Sequence, residues 1–239
     1  MMKAMLVAML GLGATVAAQA ETVPFPGATA FPIAALGTDG QIARTLYAGS
    51  HFALTGSDVC PPRRPCGVAV KASLHWRDAT GQAHLGLVMA AENADAAHAD
   101  GALIGMADLV HTPGGGWVFR AGSPLVAEQG SFGKAPDITL LTSNSLGMIV
   151  IMQPSTMNQG QIRRDWNLFA ETRDDSTFKQ RLSLPRLIDS SGYCPDAQCR
   201  AGDFATKTTV FDVPNGVRVE HKTIYFDGKT TDESYFVGK

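Results

Sequence analysis

The sequence predicts an all-β protein: an antiparallel hairpin meander forming a two-sheet sandwich, with a meandering barrel as the alternative closure and at most one or two short helices. Three observations predict it. About a dozen short apolar or alternating runs are separated by Gly, Pro, Asn and Asp turn signals. Helical periodicity is almost absent. No repeat of constant period runs through the chain, so nothing supports a regular propeller or solenoid.

Taken in order, Met1–Ala20 reads as a cleaved secretory signal. Lys3 supplies a charged start, Ala4 to Ala18 is apolar and small, and Ala18-Gln19-Ala20 is an A-x-A cleavage pattern. The formal net charge of the 239-residue chain is −2, and loss of Lys3 makes it one unit more negative. That balance argues against nucleic acid or an anionic membrane as the main partner. No later apolar run reaches a spanning length, so no membrane span is expected after signal cleavage. The expected location is periplasmic or secreted.

Residues 21–36 carry Pro24, Pro26, Gly27 and Pro32 and are expected to be an extended entry segment leading into a single β-rich domain over 37–239. The four cysteines form two close pairs, Cys60 with Cys66 and Cys194 with Cys199. In an oxidising compartment an even count in local pairs favours two disulfides, each clipping one loop, although cross-pairing fits the same count. Spacings of five and four intervening residues are poor for zinc. Arg63 and Arg64 stand on the first of these loops, where Pro61, Pro62 and Pro65 exclude a central strand.

Val68 to Arg77 is the cleanest strand, with Val68, Val70, Ala72, Leu74 and Trp76 alternating with polar residues. A two-residue loop at Ala79-Thr80 pairs Arg77 with Gln82 and brings Ala83, Leu85, Leu87 and Met89 onto the same apolar face. In that register His75 and His84 stand directly opposite each other. Ala91 to Asp100 fits a short helix or a polar loop. From Gly101 to Ala170 come the densest apolar runs, and Met148-Ile-Val-Ile-Met152 reads as a strand buried on both faces. Leu182, Leu184 and Leu187 bracket Pro185, which suggests an edge strand or extended segment. The C-terminal part reads as a hairpin meander turning at Pro214-Asn-Gly216 and Asp227-Gly228, sequences that favour primed turns.

No linear catalytic motif is present: there is no G-x-S-x-G, H-E-x-x-H, phosphate loop or dinucleotide fingerprint. The functional expectation is therefore a non-catalytic envelope or extracellular binding or structural domain for an unidentified ligand, with no cofactor. The alternative is a divalent-metal-binding protein or metal-dependent hydrolase. Its candidate ligands are His75 with His84, Asp78 lying nearby, or the acidic stretch from Glu92 to His111 with His98, Asp100, Asp108 and His111. Trp76, Trp117, Trp166 and Tyr225 lie in strand patterns and are expected in the core; Arg163 and Arg164 are expected at the surface.

Overall fold

The computed structural model describes residues 31–32, 67–93, 95–114, 116–172, 174–192, 200 and 202–238. Thirteen strands and no helix are found among them: β1 (Phe31–Pro32), β2 (Gly67–Arg77), β3 (Ala83–Glu92), β4 (Ala102–His111), β5 (Gly116–Gln129), β6 (Asp137–Ser143), β7 (Gly147–Gln153), β8 (Ser155–Asn158), β9 (Gln161–Glu171), β10 (Phe178–Asp189), β11 (Phe204–Val213), β12 (Gly216–Tyr225) and β13 (Thr230–Gly238). The signal segment and all four cysteines lie outside the described residues, as does the entry segment apart from Phe31–Pro32.

All pairings are antiparallel and fall into two open sheets. The first has the order β1-β5-β4-β3-β2, the second β13-β12-β11-β10-β9-β7-β6, with β8 also on β9. The two pack face to face as a sandwich, without closing into a barrel. Between them lie Val88 and Ala90 of β3, Ile104 and Met106 of β4, Met148, Val150 and Met152 of β7, and Phe169 of β9. On the far side of β7 and β9, Ile149, Ile151, Trp166 and Leu168 pack against Val217 and Val219 of β12 and Val237 of β13. The second sheet curls back over itself through β10 and β11, which share only two paired positions. The five residues Met148–Met152 are consequently all buried, as their unbroken apolar run predicts. Each contributes on the order of 2 kcal/mol of burial free energy.

The hairpin β2–β3 differs from its predicted register by one residue. Arg77 pairs with Ala83, Trp76 with His84 and His75 with Leu85. Turn chemistry explains the shift. The primed two-residue loops need positive φ at one or both loop residues, and Ala79-Thr80 is unsuited to that. The chain instead uses three loop residues and places Gly81 in the left-handed region, at φ +85. Asp78 Oδ1 accepts from the N–H groups of Thr80 and Gln82, both at 2.9 Å, and from the Thr80 hydroxyl at 2.7 Å. Consequently Ala72, Leu74 and Trp76 share a face with His84, Gly86 and Val88, and β3 is buried on both faces from His84 to Ala91. A bulge between Val70 and Ala72 restores Val70 to Met89.

Other expectations are corrected in similar ways. Ala91–Asp100 is neither helix nor wholly loop: β3 runs through Glu92, and turns follow among the described residues, Asn93 Oδ1 accepting from the Asp95 N–H at 3.0 Å. Strand β10 is interior in strand order despite Pro185. A register shift at Pro185/Leu187 and the absence of a β11 partner before Leu187 accommodate the missing N–H. The meander turns are not primed. Val213 pairs with Gly216 across Pro214-Asn215, with Asn215 at φ 67, the pattern of a type II turn in which proline fixes a negative φ. At the second turn Tyr225 N–H donates to Lys229 O and Gly228 sits at φ +85, repeating the three-residue loop of the β2–β3 hairpin.

Candidate functional site

The register of β2 on β3 decides what stands at one end of the sandwich. Trp76 and His84, paired across the hairpin, stack with ring centroids 4.7 Å apart and planes 17° from parallel. Gly86, two residues further along the same face, makes room for this. A Cβ there would lie 2.9 Å from the Trp76 ring and 2.2 Å from Met148 Sδ. His84 is 6% exposed and Asp108, on the adjacent β4, is 0% exposed. His84 Nδ1 lies 3.1 and 3.2 Å from the two Asp108 oxygens, so Nδ1 carries the proton and donates to the carboxylate. That leaves Nε2 facing the Asp78 carboxylate. Nε2 is buried, and Asp78 Oδ2 stands over it at 3.5 Å, within ion-pair range.

Asp108 is held from its other side by Arg120. This arginine is the extra residue of a bulge in β5, where Asp108 pairs with Ala121 but Leu109 with Phe119. Its Nε donates to Asp108 Oδ2 at 2.7 Å and its Nη2 reaches the same oxygen. The far edge of the guanidinium grips Glu171 of the opposite sheet, Nη1 to Oε1 at 3.0 Å and Nη2 to Oε2. Burial pushes the Asp108 carboxyl above its ordinary range, against the pull of Arg120 and His84. For Arg120 burial acts to lower the pKa, but Glu171 and Asp108 outweigh it and hold the group more firmly protonated. The Asp78 carboxyl is held below its ordinary range first by the Thr80 hydroxyl, then, against burial, by the N–H groups of Gln82 and Thr80 and by the His84 side chain.

These side chains border a cleft of about 300 Å³ between the two sheets. Trp76, Arg77, Asp78 and His84 form one wall, Arg120 and Glu171 the middle, and the β6–β7 turn with Asp212 of β11 the other wall. Asp212 fixes that turn: Oδ1 accepts from the Ser143 hydroxyl at 2.6 Å, and Oδ2 from the Asn144 side-chain amide at 2.8 Å. The cleft thus presents a stacked aromatic pair and ion pairs already formed before anything binds.

Of the residues singled out by sequence, the structure brings together His84, Asp108 and Asp78. His75 does not face His84; it pairs with Leu85, on the opposite side of β2. His98 and Asp100 lie in the β3–β4 connection. His98 meets the Phe132 ring edge-on, and Asp100 Oδ2 accepts from the Ala97 N–H at 2.9 Å. His111 ends β4, its carbonyl accepting from the Gln82 side chain. Glu92 pairs with Lys71 at 2.6 Å. Among the described residues no group of three or more His, Cys, Asp or Glu side chains is arranged to hold a metal ion. Trp166 is core as expected, and Trp76 is half-buried against the core. Arg163 is exposed and pairs with Asp165.

Arg120, Glu171 and Asp212 carry no motif. Their signal is a charged residue inside or at the end of an apolar run: Arg120 after Trp117-Val-Phe, Glu171 closing Leu168-Phe-Ala and Asp212 within Val210-Phe-Asp-Val. Opposite charges buried in neighbouring strands imply a pair, but the partner depends on a bulge that spacing does not reveal.

Fold and site together define an all-β sandwich with a preformed polar cleft at one end. No protein-family model matches the chain, and neither a curated protein nor a solved structure matches it.

Proposed function

We propose that the protein is an exported, non-catalytic binding domain of the cell envelope or extracellular space, and that the end cleft is its ligand site. The observation that carries this is the cleft itself: about 300 Å³ between the sheets, bordered by the Trp76–His84 stack and by the ion pairs of Arg120 with Asp108 and Glu171. The ion pairs around it are already satisfied by the chain, so the cleft is built in advance, the condition that lowers the entropic cost of binding. Its size suits a small polar molecule or the end of a longer one.

Thermal unfolding of the mature protein against amino acids, polyamines, sugars and small carboxylic acids tests this. At least one class raises the midpoint for the wild type but not for Thr142→Trp, which fills the cleft from an exposed position of β6. Equal shifts in both, or none in the wild type, contradict it. Export has its own check: the periplasmic or secreted protein begins at Glu21 and shows no free thiol when denatured without reductant.

A further inference from the structure

We propose that the C-terminal meander β11–β13 is an acid-sensitive flap, held shut over the second core by the neutral form of His221. That its opening also releases whatever the end cleft holds rests on the reading of the cleft as a binding site.

The meander has the build of a flap. Strands β11, β12 and β13 are paired along their full length and form one unit. That unit joins the rest of the second sheet at only two paired positions, Leu187 with Ala205 and Ile188 with Phe204. Asp203 anchors the hinge end through Ser190 and Arg200. Beyond Ala205 the meander parts from β10 and lies over the layer beneath, Val217, Val219 and Val237 covering Trp166, Leu168 and Leu184. At the far end Asp212 holds the β6–β7 turn, and Gly238 O accepts from Arg181 Nη2 at 2.6 Å.

His221 sits mid-strand in this unit, on the inward face of β12 with Val217 and Val219, and is 2% exposed. The hydroxyl of Thr208, its neighbour on β11, lies 2.9 Å from Nδ1. Nε2 is buried with no hydrogen-bond partner. A neutral imidazole carries one proton, and Thr208 serves one nitrogen. The imidazolium donates from both nitrogens and brings a charge against an apolar layer, so the closed flap disfavours it. Lys207, Glu220, Lys222 and Asp232 stand on the outer face of the meander. Opposite His221 on β13 is Glu233, which accepts from the Tyr235 hydroxyl at 2.7 Å. Among the described residues it is the one charge that acts on the ring; Arg164 of β9 and Arg181 and Arg186 of β10 do not. Burial outweighs Glu233 and holds the imidazole below its ordinary value. The open form therefore takes up the proton more readily. Closure is fully stabilised above about pH 6.5 and weakens as pH falls below it. Opening draws Asp212 off the β6–β7 turn, which is a wall of the cleft.

Hydrogen exchange of the mature protein, read by mass spectrometry and corrected for the intrinsic pH dependence of amide exchange, tests this. Between pH 7 and pH 5 exchange over Phe204–Gly238 should rise several-fold, at most about tenfold per pH unit for one proton, while Ala83–His111 stays constant. His221→Asn keeps a partner for Thr208 but does not titrate, and it flattens the response. If that variant does not fold, Glu233→Gln decides: without the charge that favours the imidazolium, opening moves to lower pH. The proposal is overturned if the wild-type meander gains no more exchange than Ala83–His111. It is equally overturned if His221→Asn responds to pH as the wild type does, or if Glu233→Gln opens at the wild-type pH. An exchange response in a protein that no small molecule stabilises leaves the flap standing and removes the cleft reading. Small-molecule stabilisation without an exchange response removes the flap alone.

Discussion

Arg120 of β5 and Glu171 of β9 belong to different sheets, and their side chains meet in a two-point ion pair across the end of the sandwich. The same guanidinium covers Asp108, whose carboxylate has no other exposure. The two carboxylates therefore depend on Arg120 unequally. Removing Arg120 leaves Asp108 buried with only His84, whereas removing Glu171 leaves Arg120 with its better-buried partner. Arg120→Ala should cost about 3 kcal/mol in urea denaturation. Glu171→Ala should cost about 1 kcal/mol or less, because the pair it breaks is partly solvated.

Gly86 supplies the space in which the Trp76–His84 stack lies. Gly86→Ala puts a methyl group against Met148 Sδ and the Trp76 ring. The neighbours must shift, at a cost of about 1–3 kcal/mol. Near-UV circular dichroism of the native state should change as well, because the indole moves. A variant that loses stability with an unaltered spectrum would show that Gly86 does not set the stack.

Asp203 ties the end of β10 to the start of β11. Its oxygens accept from the Ser190 N–H and hydroxyl, each at 2.8 Å, and from Arg200 Nε at 3.0 Å. Burial opposes its ionisation, but the Ser190 N–H, Arg200 and the Ser190 hydroxyl outweigh it and hold the carboxyl below its ordinary range. A lowered folded-state pKa contributes stability above the unfolded value of about 3.9, and the contribution is lost as pH falls through the lower folded value. Wild type should therefore exceed Asp203→Asn by about 2 kcal/mol at pH 7. The gap should persist at pH 5 and shrink below pH ~4. Urea midpoints at several pH values measure it; a gap that grows with acid would reverse the sign of the argument.

Much of the fold is legible in the sequence because it depends on short-range patterns. The apolar run Met148–Met152 reports burial on both faces, and the Gly and Pro signals locate the meander turns. What fails is what depends on turn geometry one residue at a time. Gly81 and Gly228 each close a three-residue loop, and a one-residue shift exchanges the faces that meet across a hairpin, in β2 from Ala72 to Arg77. Pro185 is tolerated inside the strand order because β10 parts from β11 there.

The site is less legible than the fold for the same reason. His84, Asp108 and Asp78 are visible as candidates, but their convergence needs the three-residue loop. Arg120 enters only through a bulge in β5, and Glu171 only through the packing of two sheets. His75 shows the converse. Alternation makes it look like the partner of His84, and a shift of one residue removes it from that face.

Everything said of the cleft depends on Trp76, not His75, standing opposite His84. Side-chain proton NOEs in the labelled mature protein measure this most directly. Strong contacts between the Trp76 indole and the His84 imidazole, with none between the His75 and His84 rings, are the predicted result. Contacts between the two imidazoles without indole contacts would place the hairpin in the two-residue-loop register, turn His84 away from Asp108 and dismantle the site.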